Sequence, residues 1–332
     1  QSNLYDLKAY THNPAVFGQL EKRFWDRWSV LAGVRYEWNT VLGVGAEESG
    51  PMVRAGMNFT AAKKTNIRAS FGQAFRFPSI GERHISTTLG SIFAILPNEE
   101  LRPERGWSAE LGVKQGFRIN NWNAYADFAL FWMESTDVIE YKLGTYDGDI
   151  GFKPFNISRA RIAGAEIGLT GNGNLGPIPL RVYLGYTFTY PADLETDTAQ
   201  QNVNVFIQNL FHSISNSDSL DPNSILKYRI ANVFKGDVEF DLWKFTIGMN
   251  VEYTSFMDRI DAEFESLLPG FSEYRELNDK GVWRFDARVY FNISPKSSVG
   301  LVAKNISNEF YSVRPGVMEA PRSFALQYKL KI

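Results

Sequence analysis

The side chains able to do chemistry are present in this sequence, but they are not spaced as a catalytic centre. Its three histidines, His12, His84 and His212, fall in separate polar stretches, and no two form an HxH or HxxxH pair that could share a metal ion. There is no cysteine, which removes disulfides and thiolate metal sites. No nucleophile elbow, phosphate loop or zinc motif occurs. A hydrolase would need a serine, a histidine and a carboxylate converging at one lip, a matter of geometry that the plentiful loop serines and aspartates do not by themselves provide. The expectation is therefore a non-enzyme without resident metal or cofactor. Binding chemistry remains. Arg76, Arg83, His84, Glu99 and Glu100 share one long connection and His212 stands in another, which makes them the candidate ligand-facing residues. A structural use of the same residues, shaping the connection by pairing, stands beside that reading. The net charge of −2 gives no electrostatic reason to expect nucleic acid.

The elements that must position these residues alternate apolar and polar side chains, the period of a strand with one face buried or in lipid. Trp28, Val30, Ala32, Val34, Tyr36 and Trp38 share one face, with Ser29, Leu31, Gly33, Arg35 and Glu37 opposite. The same pattern runs from Trp107 to Lys114, Trp122 to Trp132, Trp243 to Tyr253 and Trp283 to Ile293. About thirteen strands are expected by this criterion, at 14–24, 28–38, 51–60, 65–74, 106–117, 122–143, 153–170, 180–190, 227–237, 242–257, 282–293, 298–306 and 321–332.

In several strands an aromatic opens the apolar face and another closes it ten residues later. Ten residues at about 3.3 Å, tilted about 45°, cover roughly 23 Å of depth, close to the apolar band of about 25 Å in membrane barrels. Trp28, Trp38, Trp107, Trp122, Trp132, Trp243 and Trp283 are thus expected to form lipid-interface girdles. Arg35, Glu37, Glu110, Lys114, Asp127, Arg284 and Arg288 are expected to line the lumen. A soluble sandwich or propeller also alternates, but nothing in it would bracket strands with aromatics at fixed depth. The mean hydropathy of −0.25 suits a barrel, half of whose strand residues face water.

The connections alternate short and long. Short ones are expected at 26–27, 61–65, 118–121, 171–179, 236–241 and 294–298, and long ones at 39–50, 75–105, 144–151, 191–226, 256–281 and 307–320. That is how a barrel with short periplasmic turns and long external loops is threaded. Helical spacing of Val203, Phe206, Leu210 and Phe211, and of Ile260, Phe264, Leu267 and Leu268, suggests a short helix in each of two long loops or, equally, residues packing the loop. No composition shift divides the chain, so residues 1–332 are expected to be one domain.

Three blocks carry a family resemblance: Ala69 to Ile80, reading ASFGQAFRFPSI, then Pro97 to Glu104, reading PNEELRPE, then Gly106 to Lys114, reading GWSAELGVK. In type and order they closely resemble the TonB-dependent outer-membrane receptors. Val16 to Leu20 with Leu31 to Glu37, Val302 to Tyr311, Arg314-Pro315-Gly316 and Pro321 to Phe324 are similar to further segments of that family, from Phe17 to Ile332. Ile332 departs from the family's usual aromatic terminus.

The resemblance implies an all-β, antiparallel transmembrane barrel in a Gram-negative outer membrane. It implies active import of a scarce or large nutrient (siderophore, haem, cobalamin, glycan or peptide) captured by external loops. The alternative is a passive porin, which has no plug. Nothing in the sequence resembles the family's plug or its TonB-binding motif, so the TonB complex would act through a plug outside this chain. The expected partners are outer-membrane lipid, the ligand, the rest of the barrel as a missing segment or separate chain, and a surface lipoprotein at the loops. With the last strand ending in the periplasm, the first runs inward from outside. An odd count with that start predicts roughly the last thirteen strands of the family's usual total of about twenty-two, since single-chain barrels close with even numbers.

Overall fold

The computed structural model describes residues 10–42, 46–89, 93–146, 148–215, 223–260, 269–313 and 317–331. Apolar–polar alternation becomes one sheet, antiparallel except for one short parallel pairing. Its strands are β1 (Tyr10–His12), β2 (Ala15–Phe24), β3 (Trp28–Leu42), β4 (Ala46–Ala62), β5 (Thr65–Arg76), β6 (Thr87–Leu89), β7 (Phe93–Ile95) and β8 (Glu104–Ile119). They continue with β9 (Trp122–Tyr146), β10 (Asp149–Leu175), β11 (Ile178–Asp193), β12 (Asn232–Leu242), β13 (Phe245–Thr254), β14 (Val282–Ser294), β15 (Ser297–Lys304) and β16 (Ser323–Leu330). The hydrogen-bonded path runs β1-β3-β4-β5-β8-β9-β10-β11-β12-β13-β14-β15-β16, and β2 continues the β1 edge along the lower part of β3. Among the described residues β2 pairs only with β3 and β16 only with β15, so both edges of the sheet are open.

Register decides what each face carries, because directly opposed residues point the same way. Val113, Phe128 and Ile167 align with Ile67 and Tyr186, and Phe240, Ile247, Val289, Leu301 and Leu326 align further along. This is the apolar face, and aromatic pairs knit it across strands. Trp28 stacks on Phe59 at 4.2 Å and Tyr253 lies 4.8 Å from Trp283. Alternation puts Trp28, Trp38, Trp107, Trp122, Trp132 and Trp283 on this face.

Trp243 is the exception. The expected turn at 236–241 lies inside β12. The chain reverses instead at Trp243–Lys244, between the closing pair Leu242 and Phe245, with Trp243 at φ 54°. Gly236, Asp237 and Asp241 read as turn residues, but cross-strand pairing absorbs them and a left-handed tryptophan makes the corner. Likewise β10 runs on to Leu175, past the expected turn start at 171, and β12 begins at Asn232, five residues after the expected 227.

β9 and β10 have 25 and 27 residues. Twenty-five residues at about 3.3 Å extend roughly 80 Å, far more than a band of about 25 Å requires even when tilted. Among the described residues no helix is long and apolar enough to cross a membrane. The helices belong to the long connections: α1 (Ile80–His84), α2 (Val203–Ser215) after a 3-10 turn at Thr198–Gln201, and α3 (Phe271–Leu277). α2 bears out the helical spacing from Val203. In the later loop the helix begins at Phe271, after Ile260, which is not helical, while Phe264, Leu267 and Leu268 lie outside the described residues.

Candidate functional site

The face opposite the tryptophans is a lane of arginines and carboxylates. Arg68 donates from Nε to Glu110 at 2.8 Å and from Nη1 to Asp127 at 2.7 Å. Arg288 bonds Asp237 at 2.7 Å and Glu239 at 2.8 Å, and Arg181 reaches Glu239 and Asp241, each at 2.9 Å. Arg284 pairs with Glu252 and donates to the Tyr311 hydroxyl at 2.7 Å, and Arg35 pairs with Glu37 at 2.8 Å. The Lys114 ammonium stands 3.8 Å from the centre of the Tyr125 ring. All seven charged residues expected on the inner side, Arg35, Glu37, Glu110, Lys114, Asp127, Arg284 and Arg288, lie on this face. These pairs keep substantial exposure to water, so each contributes little stability singly. Their effect is to hold charge on one side of the sheet and to fix long side chains.

Sequence reasoning missed Arg68, Arg181, Asp237, Glu239 and Asp241, while alternation from Trp243 to Tyr253 already sets Glu252 on the polar side. The same alternation would have found Arg68, whereas the misplaced turn hid Asp237, Glu239 and Asp241. Glycine makes room for the guanidinium of Arg68: a Cβ on Gly112 would come 2.6 Å from Arg68 Cζ.

The connection from Phe77 to Pro103 crosses from β5 to the far edge of β10, where β7 pairs in parallel with Gly151 and Phe152. Only glycine at 151 admits the Ala94 backbone so closely. Asn98 Nδ2 donates to the Pro154 carbonyl at 2.8 Å, and Asn156 and Arg102 exchange two bonds of 2.9 Å. Leu101 is buried, as are Ile139, Leu143 and Phe152. The connection is a built structure closing part of one end of the polar face.

Arg76 organises its root. The guanidinium makes two bonds to Glu104, at 2.8 and 3.0 Å, and two to Glu82, both at 3.0 Å. Ser79 caps α1 in a capping box: Glu82 accepts from the Ser79 N–H at 2.7 Å and hydroxyl at 2.8 Å, while Ser79 Oγ accepts the Glu82 N–H at 3.2 Å. Burial opposes charge on Glu82, but the Ser79 and Arg76 bonds outweigh it and hold its carboxyl below the ordinary range. Below this clasp, Gly72, Arg76, Glu104, Ser108, Met133 and Ser135 line a pocket of about 190 Å³.

The other candidates scatter. Arg83 is buried and donates to the Leu101 carbonyl. His84 Nδ1 lies 3.4 Å from exposed Glu99, and the Glu100 N–H donates to Asn98 Oδ1 at 3.1 Å. His212 stands on α2, which packs on the apolar face, away from Arg76. His12 belongs to edge strand β1. Among the described residues no group of three or more potential ligands could hold a metal ion.

One face of paired charge, one of bracketed aromatics and a folded connection over one end are a receptor wall, and the sequence matches the family model "TonB dependent receptor-like, beta-barrel" over residues 2–306. The chain belongs to the TonB-dependent receptor family. Its fold is shared by solved structures of low sequence identity. These include the copper transporter OprC (14% identity, TM-score 0.66, 97% of this chain and 48% of that one) and the Neisseria meningitidis iron transporter FrpB, F5-1 variant (14%, 0.63, 98% and 46%). A third is the Serratia marcescens hemophore receptor HasR, solved as a double mutant with its hemophore HasA and heme (13%, 0.64, 96% and 51%). This receptor chain therefore spans about half the length of the solved structures it matches. No curated protein matches its sequence.

Proposed function

We propose that this chain is the C-terminal wall of an outer-membrane importer that takes up a scarce or large nutrient at the expense of TonB-transmitted energy. The observation that carries the reading is the division of one continuous sheet into a charged face and an aromatic-bracketed face. The charged face lines the solute path and the other meets lipid, with Trp28, Trp38, Trp107, Trp122, Trp132 and Trp283 at its two borders. Copper, iron and heme appear in the names of the similar structures, and for this receptor they join siderophore, cobalamin, glycan and peptide as ligands to try. The clasp of Arg76, Glu82 and Glu104 and the pocket beneath it are the first ligand-facing surface on this wall. The open edges of β2 and β16 support a barrel of about twenty-two strands completed by polypeptide outside this chain, which also supplies the plug and the TonB contact.

The test is growth on each candidate nutrient as sole source, with the full-length receptor intact or lacking its TonB-binding motif. Loss of growth on one nutrient in the truncated strain is the expected result. Unchanged uptake would overturn energised import and leave a passive channel.

A further inference from the structure

α2 packs on the wrong side of the sheet for a loop that captures solute. Phe206, fully buried, makes edge contacts with Trp132 at 4.9 Å and Tyr190 at 5.3 Å. Both rings belong to the apolar face, where Trp132, Ala163 and Tyr190 lie side by side across β9, β10 and β11. A polar bolt holds the helix there. The Arg161 side chain, 3% exposed, pairs with Glu134 at 2.7 Å and donates to the Gln200 carbonyl at 2.8 Å. Its guanidinium lies 5.1 Å from the ring centres of both Trp132 and Phe206. Gln200, wholly buried, accepts from the Tyr190 hydroxyl and donates to the Ser224 carbonyl.

The helix carries more apolar surface than the wall covers. At 100° per residue, Phe206, Leu210, Val203, Ile214, Ile207 and Phe211 span an arc of roughly 140°. Phe206 and Leu210 face the strands, yet Val203, Ile214 and Phe211 remain 46%, 52% and 62% exposed. His212 is the helix's only ionisable side chain, so immersion costs no buried charge. Between helix and wall runs a groove of about 370 Å³, lined by Leu111, Leu130, Ala163, Ala165, Leu210 and Ile214 among others. Leu111 and Leu130 in its floor are themselves exposed, as is Ile167 on the same face, one or two rungs from Trp132 towards the middle of the bracketed band.

We propose that α2 is an interfacial helix lying in the outer leaflet against the barrel's exterior, and that the groove beneath it holds an acyl chain of a membrane lipid. This rests on the lipid-facing assignment of the apolar face. Hydrocarbon is the occupant because the groove opens onto that face, and whatever covers Leu130 and Ile167 also reaches Leu210 and Ile214. The helix so placed ties the connection between β11 and β12 to the membrane surface, away from the solute path.

The experiment labels the full-length receptor with a nitroxide at one cysteine at a time, Phe211→Cys, His212→Cys (on the side of α2 opposite the apolar arc) or Leu301→Cys, in phosphatidylethanolamine–phosphatidylglycerol vesicles. This chain contributes no cysteine of its own. The ratio of oxygen to nickel-chelate collisions should match at 211 and 301 and exceed that at 212 by on the order of tenfold. Nickel access at 211 with oxygen access at 301 would put α2 in water and overturn the proposal. Access of neither probe at 211 would mean a protein cover and overturn it too. Nickel access at 301 would show that the lipid-face assignment itself had failed. Native mass spectrometry reads the groove: Ala165→Phe, which fills it, should lower the lipid retained per receptor, and an unchanged count would refute an acyl occupant.

Discussion

Replacing Arg161 by alanine should free the connection carrying α2 while leaving the sheet folded. The substitution removes the bond to Glu134, the bond to the Gln200 carbonyl and two ring contacts. Hydrogen bonds to a charged group contribute about 1.5–3 kcal/mol each, and cation–ring contacts about 0.5–1 kcal/mol. These contributions are not additive, and Glu134 regains water at its exposed edge, so the expected local loss is about 3 kcal/mol. Opening of the connection would then be roughly 150-fold more frequent, since about 1.4 kcal/mol is tenfold. Amide exchange of residues 203–214 reads this directly, with β9 and β10 below Trp132 as the internal reference. Glu134→Gln should give a smaller loss, because the Gln200 bond and the rings remain. Unchanged protection of α2 in the alanine variant would refute the bolt and leave burial of Phe206 as the helix's sole anchor. Equal loss across β9 and β10 would show that the connection does not open independently.

Acidification should loosen the root of the Phe77–Pro103 connection. Glu82 has a folded pKa below its unfolded one, so its contribution is complete above the ordinary carboxylate range and disappears as pH falls through the lowered value; proteolysis within the connection should rise there. Ser79→Ala should reproduce the effect at neutral pH at a cost of about 1 kcal/mol, and a protease pattern unaffected by either change would contradict it. Gly112→Val should displace Arg68 from Glu110 and Asp127 and lower the urea midpoint relative to Gly18→Val, where a Cβ meets nothing within 4 Å. The difference is expected to be about 1 kcal/mol, because these pairs are water-exposed, and equal midpoints would sink the argument. In the full-length receptor the β2 amides that face away from β3 should resist exchange, because another strand covers that edge; free exchange there would rule out the pairing.

Much of this wall was legible from residue order alone. A period of two is local and survives any register, so the identity of each face, including Arg35, Glu37 and the six strand tryptophans, could be read strand by strand. The three blocks between Ala69 and Lys114 likewise carried the family. Turn positions were less secure, because Gly236, Asp237 and Asp241 have turn-like character that cross-strand partners override. Trp243 took the corner although nothing in its local sequence favours a positive φ.

What tertiary structure alone decided are contacts between residues far apart in the chain. Arg76 meets Glu104 because β5 and β8 align there, and β7 finds Gly151 only once the connection has crossed to the edge of β10. The helical spacing from Val203 foretold α2 but not the side of the sheet on which it lies. Phe206 fits beside Trp132 and Tyr190 only after β9, β10 and β11 set those rings on either side of Ala163 in one cross-strand row, and Arg161 then closes the bolt. Amphipathic pattern tells which side of an element seeks an apolar neighbour, whereas pairing across the sheet supplies that neighbour.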